Sequence, residues 1–119
     1  METLQEFKTV LENRIQTILG DQFVVNTMIS ELGGKEHASL CLEIYGANPV
    51  NNIKMNSNTH MHIWAHDILN PIKAFESSYV RKELKFRKIK AKSFEDLHTK
   101  MCDWIRKRKD QMIALEASR

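Results

Sequence analysis

Apolar residues at Leu4, Phe7, Leu11, Ile15 and Ile18 recur at spacings of three and four, which places one stripe along a helix. Thr3 with Glu6 three residues later forms a capping box and Gly20 is a natural stop, so the pattern predicts a helix over 3–19. Its polar face carries no cluster that suggests chemistry. Two β-rich runs follow, Gln22 to Leu32 and Lys35 to Tyr45, separated by Gly33-Gly34. A two-residue glycine turn between such runs signals a hairpin. With Leu32 opposite Lys35, Ile29 faces Ala38, Thr27 faces Leu40, Val25 faces Leu42 and Phe23 faces Ile44. Nearly every strong hydrophobe then shares one face. Val24, Asn26, Met28 and Ser30, with Glu43, Cys41, Ser39 and His37, fall on the other, which is expected to be wet or only partly covered.

Gly46 to Asn52 reads as a loop, with a short strand at Ile53 to Met55 and a polar turn at Asn56 to Asn58 after it. His60 to Ile68 alternates as a strand, with Met61, Ile63 and Ala65 on one side and His60, His62, Trp64 and His66 on the other. Asn70-Pro71 breaks it. Ile72, Phe75 and Tyr79 give a helical hint, whereas Lys82 to Ala91 reads as a strand whose parity slips between Leu84/Phe86 and Ile89/Ala91, as at a β-bulge. Ser93 and Asp96 resemble a capping box, and Phe94, Leu97, Met101, Trp104 and Ile105 follow at helical spacing, predicting a helix over 94–114. Both long helices can bury their stripes on one apolar sheet face. The expected class is α+β: one domain over 1–119, an antiparallel sheet of about four strands with an N-terminal and a long C-terminal helix packed on one face.

Composition changes this picture mainly through charge. The net charge of +3 divides unevenly: residues 1–70 hold four Lys/Arg against eight Asp/Glu, and residues 71–119 hold fourteen against seven. Between Arg81 and Lys92 there are seven cations and one acid, namely Arg81, Lys82, Lys85, Arg87, Lys88, Lys90 and Lys92 against Glu83. The final helix adds Lys100 and the run Arg106, Lys107, Arg108, Lys109, expected near its C-terminal half, where cations complement the helix dipole. Packed together, strand and helix would offer a row of phosphate contacts with salt-dependent, largely sequence-blind affinity. A solvated strand and helix kept soluble by lysine is the bland alternative.

The histidines carry the other candidate chemistry. His60-Met61-His62 places two imidazoles on one strand face, within reach of one metal ion. His66 shares that parity, and His98 and Cys102 lie four apart on one helical face. With Tyr79-Val80-Arg81-Lys82 downstream, the His-hydrophobic-His strand resembles the replication-initiator and relaxase endonucleases over about 23 residues. That resemblance implies a divalent metal held by His60 and His62 to polarise a phosphate, and Tyr79 as the nucleophile. The 16 residues between His62 and Tyr79 are fewer than that family uses. The order helix, three strands, helix is also that of the double-stranded RNA-binding domain, but the chain is longer and lacks its terminal-helix lysine motif. His37-Ala38-Ser39-Leu40 supplies only half of a paired phosphoesterase motif, and there is no glycine-rich phosphate loop, GxSxG elbow or CxxC pair.

No run approaches the ~20 apolar residues of a membrane helix, the start lacks a signal-peptide pattern, and the two cysteines are too few for a disulfide scaffold. The expectation is a cytoplasmic or nuclear protein without membrane association, cofactor or bound metal, its histidines forming a solvent-facing row around Trp64. Its expected role is non-enzymatic binding of DNA or RNA through the basic strand and helix. The rival is an adaptor or inhibitor that engages an acidic protein, or one that adds a strand to the hairpin. Met112, Ile113 and Leu115 extend apolar character past the basic run and are compatible with a homodimer.

Overall fold

The computed structural model describes residues 3–34, 37–47, 59–66 and 75–118. Helix α1 (Leu4–Leu19) precedes four strands, β1 (Phe23–Ser30), β2 (Ser39–Gly46), β3 (Thr59–Ala65) and β4 (Phe75–Val80). A 3-10 turn at Lys82–Leu84 then leads to α2 (Phe94–Ala117). The strands form one antiparallel sheet in the order β1-β2-β3-β4. The α+β class and the placement of both helices on one face are as the pattern predicted.

The helix ends follow their caps. Thr3 Oγ1 accepts from Glu6 N at 3.1 Å, and Ser93 Oγ accepts from Asp96 N at 3.1 Å while Asp96 Oδ2 accepts from Lys92 N at 3.0 Å. Gly20 ends α1 at φ 79°, a conformation other residues adopt only with strain. Leu4, Phe7, Leu11, Ile15 and Leu19 of α1 meet Phe23, Val25, Leu40, Leu42, Ile44, Met61, Ile63 and Ala65 of the sheet and Leu97, Met101, Ile105 and Met112 of α2 in one core. Phe7 stacks on Phe94 at 5.0 Å, tying the two helix starts together.

The hairpin has the predicted faces and a different register. Val25 pairs with Ile44 and Leu42 with Thr27, a shift of two residues from the glycine-turn alignment. Glu31 O instead accepts from Gly34 N at 2.8 Å with Gly34 at φ 90°, and the connection runs on to Ala38, leaving Leu32 wholly exposed. Because the shift is even, every side chain keeps its face. Phe23, Val25 and Leu42 are accordingly buried.

As the first strand of the sheet, β1 has an edge without a strand partner among the described residues, and α1 covers it with two polar side chains. Gln16 Nε2 donates to Phe23 O at 2.8 Å and Gln16 Oε1 accepts from Val25 N at 3.0 Å. Glu12 Oε2 accepts from Thr27 N at 3.0 Å and from the Thr27 hydroxyl. These backbone groups would otherwise be a template for another strand.

Three further expectations are corrected. The helical hint over 72–79 gives way to a strand from Phe75, and Lys82 to Ala91 is not a strand. It is the 3-10 turn, a left-handed Lys85 (φ 49°) and an irregular segment whose Leu84, Phe86, Ile89 and Ala91 pack against the core. The slip of parity comes from that left-handed residue and the loss of pleating rather than from a bulge. Helix α2 runs on to Ala117, so Arg106 to Lys109 begin its C-terminal half as expected but lie too far from its last turn to complement the dipole. The short strand at 53–55, the turn at 56–58 and the break at Asn70-Pro71 lie outside the described residues. Met112 is fully buried in the chain's own core, with Ile113 and Leu115 packed against it.

The correction with the widest effect is at His60. Tyr45 pairs with Thr59 and Ile44 with Met61, so His60 is an extra residue in β3. Such a bulge turns its side chain to the other face. His60 is fully buried, its ring 5.2 Å from Phe23 and its Nε2 2.5 Å from Glu116 Oε1 in the last turns of α2. His62 keeps the outer face, so the two imidazoles do not share one. Gly46 makes room for the pair, because a Cβ there would collide with the Glu116 carboxylate.

Glu116→Ala and Gly46→Ala are each expected to destabilise the fold by about 1–3 kcal/mol, since the first removes the charged partner of a buried imidazole and the second displaces it. The double variant should cost no more than the worse single, because truncating Glu116 vacates the space that a Cβ at position 46 needs. Urea denaturation of the cycle decides this, and additive losses would contradict it.

Candidate functional site

The segment after β4 is held down by α2. Arg108 Nε donates to Leu84 O at 2.8 Å and its Nη1 to Trp104 O at 3.1 Å, while the guanidinium lies 4.2 Å from the Trp104 ring centre. Phe86 meets the same indole edge-on at 5.4 Å, Gln111 Nε2 donates to Glu83 O at 2.6 Å, and Lys100 Nζ donates to Lys90 O at 2.8 Å. Leu84 is buried beneath them. A basic stretch with alternating apolar anchors is thus laid along a helix, with its cations left outward.

Between the two runs lies an open groove of about 500 Å³, lined by Lys88, Ile89, Lys90, Lys100, Asp103, Trp104, Lys107 and Arg108. Five of these are cations and one is an acid, and Asp103 is already engaged by Arg106 at 3.1 Å. A smaller depression beside it adds Lys85, Glu83 and Gln111 and shares Lys107 and Arg108. Burial, and then the neighbouring Arg87, pull the Arg108 pKa below the usual guanidinium range. Trp104 is only 9% exposed, and its Nε1 has no hydrogen-bond partner among the described residues.

The predicted basic residues therefore divide. Lys85, Lys88, Lys90, Lys107 and Arg108 border the joined grooves, and Arg87 stands close to Arg108. Consecutive helical residues point about 100° apart, so Arg106 and Lys109 leave the groove face that Lys107 and Arg108 share. Arg81 pairs with Glu83 at 3.5 Å, and Lys82 and Lys92 are exposed but line neither groove. Lys88 also reaches Glu76 at 3.1 Å. Lys100 and Trp104 complete the site; Trp104 stands four residues after Lys100 and three and four before Lys107 and Arg108, the sequence signal that marks one helix face.

The histidines do not assemble as the endonuclease resemblance implies. His60 is enclosed beside Glu116, whereas Tyr79, 40% exposed, is the register partner of His62 alone. On the outer face His62 meets different company: its Nε2 is 2.8 Å from Cys41 Sγ and 3.8 Å from Glu43 Oε1, and Cys41 Sγ is 3.8 Å from Glu43 Oε1. Burial first, then the Glu43 charge and its hydrogen bond, push the Cys41 thiol up to about 12. His66 stacks on Trp64 at 6.0 Å. His98 Nε2 lies 3.7 Å from Cys102 Sγ on α2. Burial raises the Cys102 pKa against the opposing pull of Arg106 and Arg14, which is the behaviour of an inert thiol.

Arg108→Lys should loosen the segment, because an ammonium cannot stack on the indole while bonding two carbonyls. The expected loss is about 1–2 kcal/mol with faster amide exchange over 84–90, and an unchanged urea midpoint would argue against it. His98 gives a pH dependence. Burial, then Arg14 and Arg106, depress its pKa, so the unfolded chain takes up that proton first as pH falls. Its contribution is complete above about pH 6.5 and is lost as pH falls toward the folded value. His98→Gln should flatten the decline in stability between about pH 7 and pH 5, and an unaltered profile would remove this assignment. In comparisons with protein-family models, curated proteins and solved structures, the chain has no match.

Proposed function

We propose that the groove between the 82–92 segment and α2 binds the phosphate backbone of DNA or RNA. The observation that carries this reading is the convergence of Lys88, Lys90, Lys100, Lys107 and Arg108 around one groove whose lining holds a single acid, Asp103, with Lys88 and Lys100 also paired to Glu76 and Asp96 beside it. A row of ammonium groups neutralises successive phosphates by point-charge attraction and releases condensed counterions. Contacts of this kind position a backbone and carry no base code.

About four phosphate contacts predict a slope near −3.6 in log K against log salt for duplex, hence roughly 100-fold weaker binding on going from about 50 to 200 mM salt. Fluorescence anisotropy with unrelated DNA and RNA sequences measures this. Reversing Lys85, Lys88, Lys90 and Lys107 to Glu should abolish the slope for all sequences alike, with circular dichroism confirming the fold. Reversing Lys82, Lys92, Arg106 and Lys109, which lie off the groove, should weaken binding far less. Equal losses in the two sets would displace the site. A parent that ignores nucleic acid at low salt but binds polyglutamate would replace the reading with an acidic protein partner.

A further inference from the structure

The outer face of the sheet, away from the basic groove, brings together three different donor groups. Cys41 and Glu43 are two residues apart on β2 and so point to the same side, and the β2–β3 register sets His62 directly opposite Glu43. A thiol, a carboxylate and an imidazole thereby place one donor atom each within 4.8 Å of the others. We propose that Cys41, Glu43 and His62 hold a Zn²⁺ ion that ties β2 to β3.

Metal–ligand bonds of about 2.0–2.3 Å in a tetrahedron put donor atoms roughly 3.3–3.6 Å apart. The Cys41–Glu43 and His62–Glu43 separations, both 3.8 Å, lie close to that spacing. The Cys41–His62 separation of 2.8 Å opens to it through rotation of the half-exposed imidazole. One sulfur, one nitrogen and one oxygen suit a borderline cation, whereas Mg²⁺ and Ca²⁺ ask for oxygen throughout. Three protein donors leave the fourth tetrahedral position to water.

The surroundings have the form of a built site. Glu43 Oε2 accepts the Tyr45 hydroxyl, which leaves Oε1 facing the thiol and the imidazole. A hydrogen bond to the far oxygen is how outer-shell groups orient a ligating carboxylate. Cys41 is fully buried although it belongs to the outer face and stands apart from the main core. Its register partners are Met28 and Trp64. His62, 36% exposed at its side chain, keeps the place open to an entering ion.

Metal-stripped protein titrated with Zn²⁺ against a chromophoric chelator should bind one ion per chain, and Co²⁺ should give a thiolate charge-transfer band. Loss of an outer-shell partner costs roughly 10–100-fold in affinity, so Tyr45→Phe should fall in that range, and Cys41→Ser and His62→Ala beyond it. His66→Ala and Cys102→Ser should bind as the parent does. Absence of stoichiometric binding, a band that survives Cys41→Ser, or a band lost instead in Cys102→Ser would overturn the proposal. Should Cys41→Ser fail to fold, NMR of the parent decides: Zn²⁺ must shift the His62 ring signals and leave those of His98 in place.

Discussion

Two helices can cover only one face of a four-stranded sheet, and most of this structure follows from that limit. Alternation sends Leu40, Leu42 and Ile44 inward and Cys41, Glu43 and Tyr45 outward on the central strand β2, so each core choice fixes an outer-face neighbour. The alternation breaks in β3 at His60, where the bulge sends a polar ring into the core face. That ring needs a partner, and Glu116 supplies it only because α2 continues for 24 residues, about 36 Å. A glycine at 46 is then required by the approach of the two.

The helices, their caps and the core faces were legible in the sequence because each is written in local spacing: Thr3 to Glu6, Ser93 to Asp96, and the stripes from Leu4 and Phe94. Even a hairpin register two residues off left the faces correct, since parity survives an even shift. What was not legible depends on residues far apart in the chain. The bulge at His60 exists only relative to β2, and a strand pattern that includes Phe75 and Tyr79 looks helical without its partner β3. The alternating anchors Leu84 and Phe86 imitate a strand because an irregular segment lying on a helix also needs an apolar residue at intervals.

The candidate sites show the same division. Charge density over 81–92 and 106–109 was visible from composition, but the groove depends on which helical face receives the segment, and that is decided by Arg108 and Phe86 meeting at Trp104. The pairing of His60 with His62 was the obvious reading of a two-residue spacing. Cys41 and Glu43 have the same spacing, yet nothing local to β2 names the cross-strand residue that completes their cluster.

The polar clasp of Glu12 and Gln16 on β1 gives the sheet two unlike sides. With Phe23 O and the Val25 and Thr27 N–H groups already taken, lateral strand pairing at β1 must compete with α1, whereas among the described residues β4 carries no such clasp. Growth into a fibre needs two receptive margins on every subunit, one to receive and one to offer. A sheet hindered on one side favours a single joining event, so association through strands is biased toward pairs of molecules over open-ended growth.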